Sequence, residues 1–384
     1  MSTVKLGEVA TECKDTYKDD KTGMPIVGLE HLTPNEVTLS NWNMNTDNTF
    51  TKMFRKDDVL FGRRRAYLKK AAVAPFNGVC SGDITVIRAK DDKLFPDLLP
   101  FIIQNDDFFD YAVGKSAGSL SPRVKWSHLQ NYEFNIPDMG HQKKIAELLW
   151  SINDSRLAYQ SLLQDTDALV KFRFIEMFGD LSKNNKCYDL KPLSELLLIE
   201  RGGSPRPIEK YVTNSSAGVN WIKIGDAVDG SIYITHTKEK IKLEGTKKSR
   251  YVEPGDFLLS NSMSFGRPYI LMIDGYIHDG WLVLRDKNHL FDKLFLYTLL
   301  SSEYAKNFFQ TMANGSVVKN LNKDLVGKLL VPVPEMKLQL EFSEFLSQSD
   351  KSKFALQDSL NDLNSLMWAV ISKELIINHE QKGE

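Results

Sequence analysis

The chain has 384 residues, 42% hydrophobic and 26% charged, with 49 basic side chains against 50 acidic ones. That length exceeds one typical core and predicts about two domains, and the composition excludes a disordered chain. A formal charge of −1 removes the simplest case for a free-standing polyanion binder, because non-specific grip on phosphates needs clustered Lys and Arg.

The three cysteines, Cys13, Cys80 and Cys187, are odd in number and widely spaced. This argues against a disulfide framework and a Cys-x-x-Cys metal site, and suits a reducing compartment. The first ten residues lack a basic segment leading into an apolar one, and no run approaches the ~20 apolar residues of a membrane span. The sequence reads as that of a cytoplasmic protein without membrane contact.

In chain order, the first half offers short apolar runs at 58–61 and 83–87, bounded by Gly, Pro, Asn and Asp, which predict strands. A helical patch is expected at 98–113. Residues 141–178 contain no Gly or Pro and carry Ile145, Leu148, Ile152, Tyr159, Leu162, Leu169 and Phe172 at three- and four-residue steps or multiples of them. That spacing predicts a helix of about forty residues, about 60 Å long. Gly179 suits a left-handed C-cap, and 182–186 reads as a polar linker. The second half repeats the plan: strands at 256–260, 269–273 and 281–284, a helical patch at 293–312, and a long helix at 337–377 with Phe342, Phe345, Leu356, Leu360, Leu363, Leu366 and Val370 on its seam.

The repetition extends to individual residues. Pro137 and Pro334, Gln142 and Gln339, Ile145 and Phe342, Gly118 and Gly315, Arg88 and Arg285, Val86 and Val283, and Gly78 and Gly275 all stand 197 positions apart. So large a period marks a duplicated domain with its connector and predicts pseudo-two-fold symmetry. The expected fold is α+β: two mixed, strand-rich domains at 1–140 and 181–336, with long helices at 141–180 and 337–384 pairing as an antiparallel coiled coil.

The sequence lacks a Pro-Pro-aromatic signature for binding a flipped base's amino group, a Walker phosphate loop and a His-Glu-x-x-His zinc motif. Arg201-Gly-Gly-Ser-Pro205 lacks dinucleotide-loop spacing and reads as a turn. Cation clusters nevertheless exist. Arg63, Arg64 and Arg65 stand beside Tyr67, Lys69 and Lys70, and Lys247 and Lys248 stand beside Arg250 and Tyr251. Arg can grip guanine's major-groove edge with two bonds, and Lys sets phosphate registry. A second set follows each helical patch: Lys115, Ser116, Ser119, Ser121, Arg123 and Lys125, then Asn314, Ser316, Lys319, Asn320 and Lys323. Arg206, Asn261, Ser264 and Arg267 complete the candidate DNA-binding set. The two halves keep a glycine in register while the polar residues around it differ, as expected of one frame carrying two reading heads. No catalytic or metal-binding residue is assigned.

These residues together resemble the specificity subunit of type I restriction-modification systems over nearly the whole chain. In the second half the resemblance rests on 201–205, on Trp221-Ile-Lys-Ile-Gly-Asp226 and on Pro254-Gly-Asp-Phe-Leu-Leu-Ser260. In the first half it rests on 58–67 and 78–83, and in both on an apolar-Pro step followed by Gln and a long helix. The resemblance implies a non-catalytic subunit that reads a bipartite target in double-stranded DNA, the paired helices setting the unread gap. It implies two modification subunits as partners, bringing S-adenosylmethionine, and optionally two restriction subunits bringing ATP and Mg. This chain itself would bind no cofactor. The first half has no Gly-Gly-Ser-Pro, so the leading loops and the half-sites are expected to differ, giving an asymmetric target. The competing readings are a stand-alone pseudo-dimeric DNA-binding regulator and a self-contained modification or cleavage enzyme.

Overall fold

The structure is a computed structural model that describes residues 2–44, 48–228, 230–261, 266–314 and 321–377. The chain divides into two units, one running to Leu163 and taking in residues from Ala355 on, the other Gln164–Phe354. The boundary therefore falls inside both long helices, Met139–Phe178 and Met336–Glu374.

In the first unit, Ala10–Cys13, Ile84–Ala89, Val59–Gly62 and Ala71–Val73 form one antiparallel sheet in that spatial order. A second sheet orders Asn43–Met44, Pro25–Val27, Gly78–Cys80 and Lys52–Phe54, with a parallel step between the middle two. Ser2–Lys5 pairs with Glu133–Ile136 and closes the domain beside the first long helix.

The second unit repeats this with five strands per sheet. One sheet runs Leu198–Arg201, Trp281–Arg285, Phe257–Ser260, Pro268–Leu271 and Tyr233–Ile234; the other runs Val212–Thr213, Glu239–Ile241, Val219–Ile222, Gly275–Ile277 and Arg250–Val252. Lys191–Pro192 pairs with Leu330–Val331 in the closing position. The predicted apolar runs are strands, whereas the two closing pairs escaped the sequence because each is a ladder of no more than four residues, too short to stand out by pattern.

Several details recur in both units. Gly78 and Gly275 lie where a Cβ would strike Pro25 O at 2.5 Å and Asn220 O at 2.8 Å, so only glycine lets the parallel strands close. Asp58 is 1% exposed, accepts the Arg55 N–H, and receives Arg88 in a two-pronged pair at 2.6 and 2.7 Å. Asp256 accepts Glu253 N–H and receives Arg285 in the same way, at 2.9 and 2.7 Å. These turns are 198 positions apart, not 197, because the loop before the next strand spans 63–70 in one unit and 261–267 in the other.

Each expected helical patch is two helices: Leu99–Ile103 then Asp106–Gly114, and Lys293–Ser301 then Glu303–Asn314. The break falls at Asn105 and at Ser302, whose side-chain oxygens accept Phe108 N–H and Ala305 N–H. A side chain that caps the next helix competes with continuing the previous one.

The glutamines shared by the halves are clamps. Gln142 accepts Phe95 N–H and donates to Lys93 O and Pro137 O. Gln339 accepts Asp292 N–H and donates to Leu290 O and Pro334 O. Every partner is displaced by 197, so each clamp ties the start of a long helix to its own domain in one way.

Within the first unit, the helix segments run antiparallel, His141 meeting Glu374 at 3.1 Å. Within the second they do the same, with Asp167 on Lys353 at 2.7 Å, Arg173 on Glu341 at 3.1 Å and Phe174 against Phe342. The seam expected from sequence is partly displaced. The inward face is Gln142, Ile145, Ala146, Leu149, Ile152 and Asn153, repeated as Gln339, Phe342, Ser343, Leu346, Ser349 and half-buried Asp350. Leu148, Leu162, Leu169, Phe172 and Leu366 are exposed, Phe172 by 64%. The helices bury a stripe of the 3.6-residue period against their domains, and a 3.5-residue seam drifts off it.

Candidate nucleic-acid interface

In the first unit, the backbone stitches two cation-bearing loops together. Arg63 N–H donates to Asp83 O, Val124 N–H to Arg63 O, and Arg65 N–H to Pro122 O. Arg65 sits in the left-handed region at φ 55°, immediately before the short helix Ala66–Leu68. Arg64 Nε donates to Ser121 Oγ at 2.6 Å. Arg123 grips Asp83 through Nε at 2.7 Å and Nη2 at 3.1 Å, and Arg64 Nη1 stands 3.6 Å from the same carboxylate. The Arg123 hydrogen bond, with Arg64 and Arg63 nearby, outweighs burial and holds the Asp83 carboxyl below the usual carboxylate range.

Around this pair of loops Arg65, Tyr67, Leu68, Lys115, Ser119, Arg123 and Lys125 are exposed, as is Leu120 at 91%. Lys115 lies over the Tyr111 ring at 5.7 Å. Two expected contributors are occupied within the fold: Lys69 pairs with Asp106, and Lys70 donates to Leu29 O. Arg63 is half-buried, and its Nε has no hydrogen-bond partner among the described residues.

In the second unit, the glycines of Arg201-Gly-Gly-Ser-Pro205 explain themselves. A Cβ on Gly202 would lie 2.2 Å from His278 O, and one on Gly203 2.5 Å from Lys248 O. The pair threads between two loops and brings Arg206, the 247–249 loop and His278 together; it is a continuation of the Leu198–Arg201 strand and not the expected turn, its N–H groups donating to Trp281 O and Ile277 O. Asp279 collects the surrounding groups. Its carboxylate accepts Ser204 Oγ at 2.7 Å, with His278 Nε2 at 2.9 Å and Arg206 at 3.5 Å beside it, and its carbonyl accepts Arg201 Nε and Asn261 Nδ2. His278 Nδ1 accepts Gly280 N–H, which assigns the proton to Nε2.

Burial works against the charge of Asp279, yet Ser204, His278, Arg206 and Arg201 together hold its carboxyl below the usual range. For His278, burial lowers the pKa, Asp279 opposing and Lys223, Arg206 and Arg201 adding to the shift. Arg206 is 81% exposed, and Lys247, Lys248 and Arg267 are exposed too. Arg250 is tied to Glu200 at 3.0 Å. A concavity of about 750 Å³ opens beside this loop, lined by Pro205, Arg206, Trp221, Lys223, Glu239 and His278.

Ser264, Ser316, Lys319 and Asn320 lie outside the described residues. The sequence reading missed Asp83 and Asp279, because a search for cation clusters passes over the acids among them. The usable signal was a Gly/Asp turn in both halves, Gly82-Asp83 and Asp279-Gly280. Among the described residues no group of His, Cys, Asp or Glu is arranged to hold a metal, and no helix is long and apolar enough to cross a membrane. All three cysteines are free thiols; burial pushes Cys80 up to about 12.

Two sheet-rich units of one design, each with a loop-borne cationic face, define a recognition protein made by duplication. Residues 1–159 and 185–364 match the model of the type I restriction modification DNA specificity domain. The chain belongs to that family and is a DNA-sequence-recognition subunit of a type I restriction-modification complex. Among solved structures, it is similar to a chain from work on complex assembly and conformational transition of the type I R-M system, at 20% identity, 97% coverage of both chains and a TM-score of 0.60. It is also similar to the S subunit of a type I restriction-modification system from M. genitalium, at 14% identity, covering 98% of this chain and 96% of that one, with a TM-score of 0.60. These likenesses show the fold. Membership of this family does not favour the stand-alone regulator.

Proposed function

We propose that the chain is a non-catalytic aiming subunit whose two domains, about 1–140 and 181–336, each read one half of an asymmetric, bipartite DNA target. The observation that carries this is the contrast between frame and loops. The clamps at Gln142 and Gln339 and the buried pairs Asp58–Arg88 and Asp256–Arg285 are the same device twice, while the loops at the cationic faces differ in length and side chains. A frame kept constant beneath changed loops suits two different half-sites. Arg65, Tyr67, Lys115, Ser119, Arg123 and Lys125 would face one half-site, and Arg206, Lys247, Lys248 and Arg267 the other; Asn261, expected there from sequence, is 2% exposed with its Nδ2 donated to Asp279 O, and supports the loop from beneath. Ser264, Ser316, Lys319 and Asn320 belong to the same proposal by sequence alone.

The partners in this reading are two modification subunits carrying S-adenosylmethionine and, optionally, two restriction subunits carrying ATP and Mg, all in the cytoplasm. Two-copy binding is supported by a notch that occurs once in each unit, where the long helices meet the domain. One, of about 470 Å³, is lined by Asp167, Val170, Phe174, Ser301 and Lys353; the other, of about 250 Å³, by Asn364, Met367, Ile371, Gln104 and Arg156, the same positions displaced by 197. A surface presented twice suits one partner bound twice.

The reading is tested by exchanging residues 2–137 for those of another family member with a different target. One half of the methylated sequence should change and the other should not. A change in both halves, or in neither, would contradict the assignment of one half-site to each domain.

A further inference from the structure

The two acids missed by sequence occupy one place in the fold. Asp83 lies on the turn between Gly78–Cys80 and Ile84–Ala89, and Asp279 on the turn between Gly275–Ile277 and Trp281–Arg285. Each turn joins the two sheets of its unit, and each points its acid at the arginines of the loops assigned above to DNA. The groups gathered come from different parts of the sequence in the two units. Asp83 binds Arg123 through both oxygens with Arg64 beside it, and Asp279 binds Ser204 and His278 with Arg206 beside it and Arg201 on its carbonyl. The anchor is therefore common and its cargo is not.

We propose that Asp83 and Asp279 are specificity-determining positioning residues, each holding the cations of its reading face in one arrangement and masking part of their charge until a matching groove replaces it. This rests on the reading of these faces as DNA-binding. The chemistry is direct. A guanidinium has five N–H donors in a fixed fork, and the Asp83 pair takes two from Arg123, fixing the plane in which the others point. An unanchored arginine pairs with any phosphate within reach, whereas an oriented one discriminates between acceptor patterns.

The test uses the assembled complex with its modification subunits, a duplex carrying the mapped target and a scrambled duplex, titrated across salt. Asp83→Asn removes one anion from the face. Affinity for the scrambled duplex should rise, with the salt slope steeper by about one unit. The ratio of target to scrambled affinity should fall tenfold or more, and methylation should relax only in the half-site read by the first unit. Asp83→Glu should restore most of the ratio. Asp279→Asn provides the same test in the second unit, and Ser204→Ala removes one of its ties if the aspartate variant is poorly folded. An unchanged ratio, or an equal loss of both affinities, would overturn the proposal. Arg123→Ala separates the two levels: if it leaves binding to both duplexes unchanged, the DNA face itself is misassigned, whereas if it weakens binding and Asp83→Asn leaves the ratio intact, only the positioning role fails.

Discussion

Arg88→Ala is expected to destabilise the protein by about 3–5 kcal/mol, and Arg285→Ala by a similar amount, because each strands a carboxylate its fold has already desolvated. Asp58 and Asp256 are both buried, and each arginine closes a two-pronged pair on the carboxylate beneath it. The exposed pair Lys143–Glu147, at 4.0 Å, is the control and should cost no more than about 0.5 kcal/mol when broken. Denaturant midpoints of the three variants check this. A loss near 1 kcal/mol for Arg88→Ala would mean that Asp58 reaches water and that the pair does not fix the turn leading into the Val59–Gly62 strand.

The second large effect is functional. Replacing Arg65 with Asn, and Lys115 and Lys125 with Ala, should weaken DNA binding by the assembled complex roughly 10²- to 10³-fold near physiological salt. The salt slope should become shallower by about 2.7, at about 0.9 per phosphate contact. Asn at position 65 keeps a residue that tolerates the left-handed backbone found there. All three side chains are exposed, so unfolding midpoints should stay within about 0.5 kcal/mol of the parent. Affinity loss with an unchanged slope would mean that these cations act through structure and not through phosphates.

Legibility in the sequence followed physical constraint. From Gly78 onward the repeat is readable at one offset, because the parallel strands, the clamping glutamines and the helix faces fix residue spacing to a fraction of a turn. Before Gly78 it is not readable. The leading strands Ala10–Cys13 and Leu198–Arg201 correspond at 187, and the turns at Asp58 and Asp256 at 198, each insertion falling in a loop between strands, where chain length is freer to change. The leading loops do differ: Tyr17 N–H and Met53 N–H join 15–17 to 51–53 in the first unit, where the second places its glycine pair.

The face proposed to read DNA was legible as cation clusters and illegible as a surface. Whether a cation is free for DNA depends on acids brought near by folding, such as Asp106 beside Lys69 and Glu200 beside Arg250. The common anchor was hidden by a swap of neighbours: the glycine and the aspartate exchange order between the two turns, so the acids stand 196 apart while everything around them stands at 197. The helix seam was misjudged in part for a related reason, since spacing reports a stripe but not what covers it.

The most direct measurement is to express this chain with its modification subunit and map adenine methylation across the host DNA by single-molecule sequencing. The account predicts a new split motif with one methylated adenine in each half, the two halves unlike in sequence. A stable complex that methylates a continuous or palindromic sequence, or that adds no methylation beyond the modification subunit alone, would contradict it.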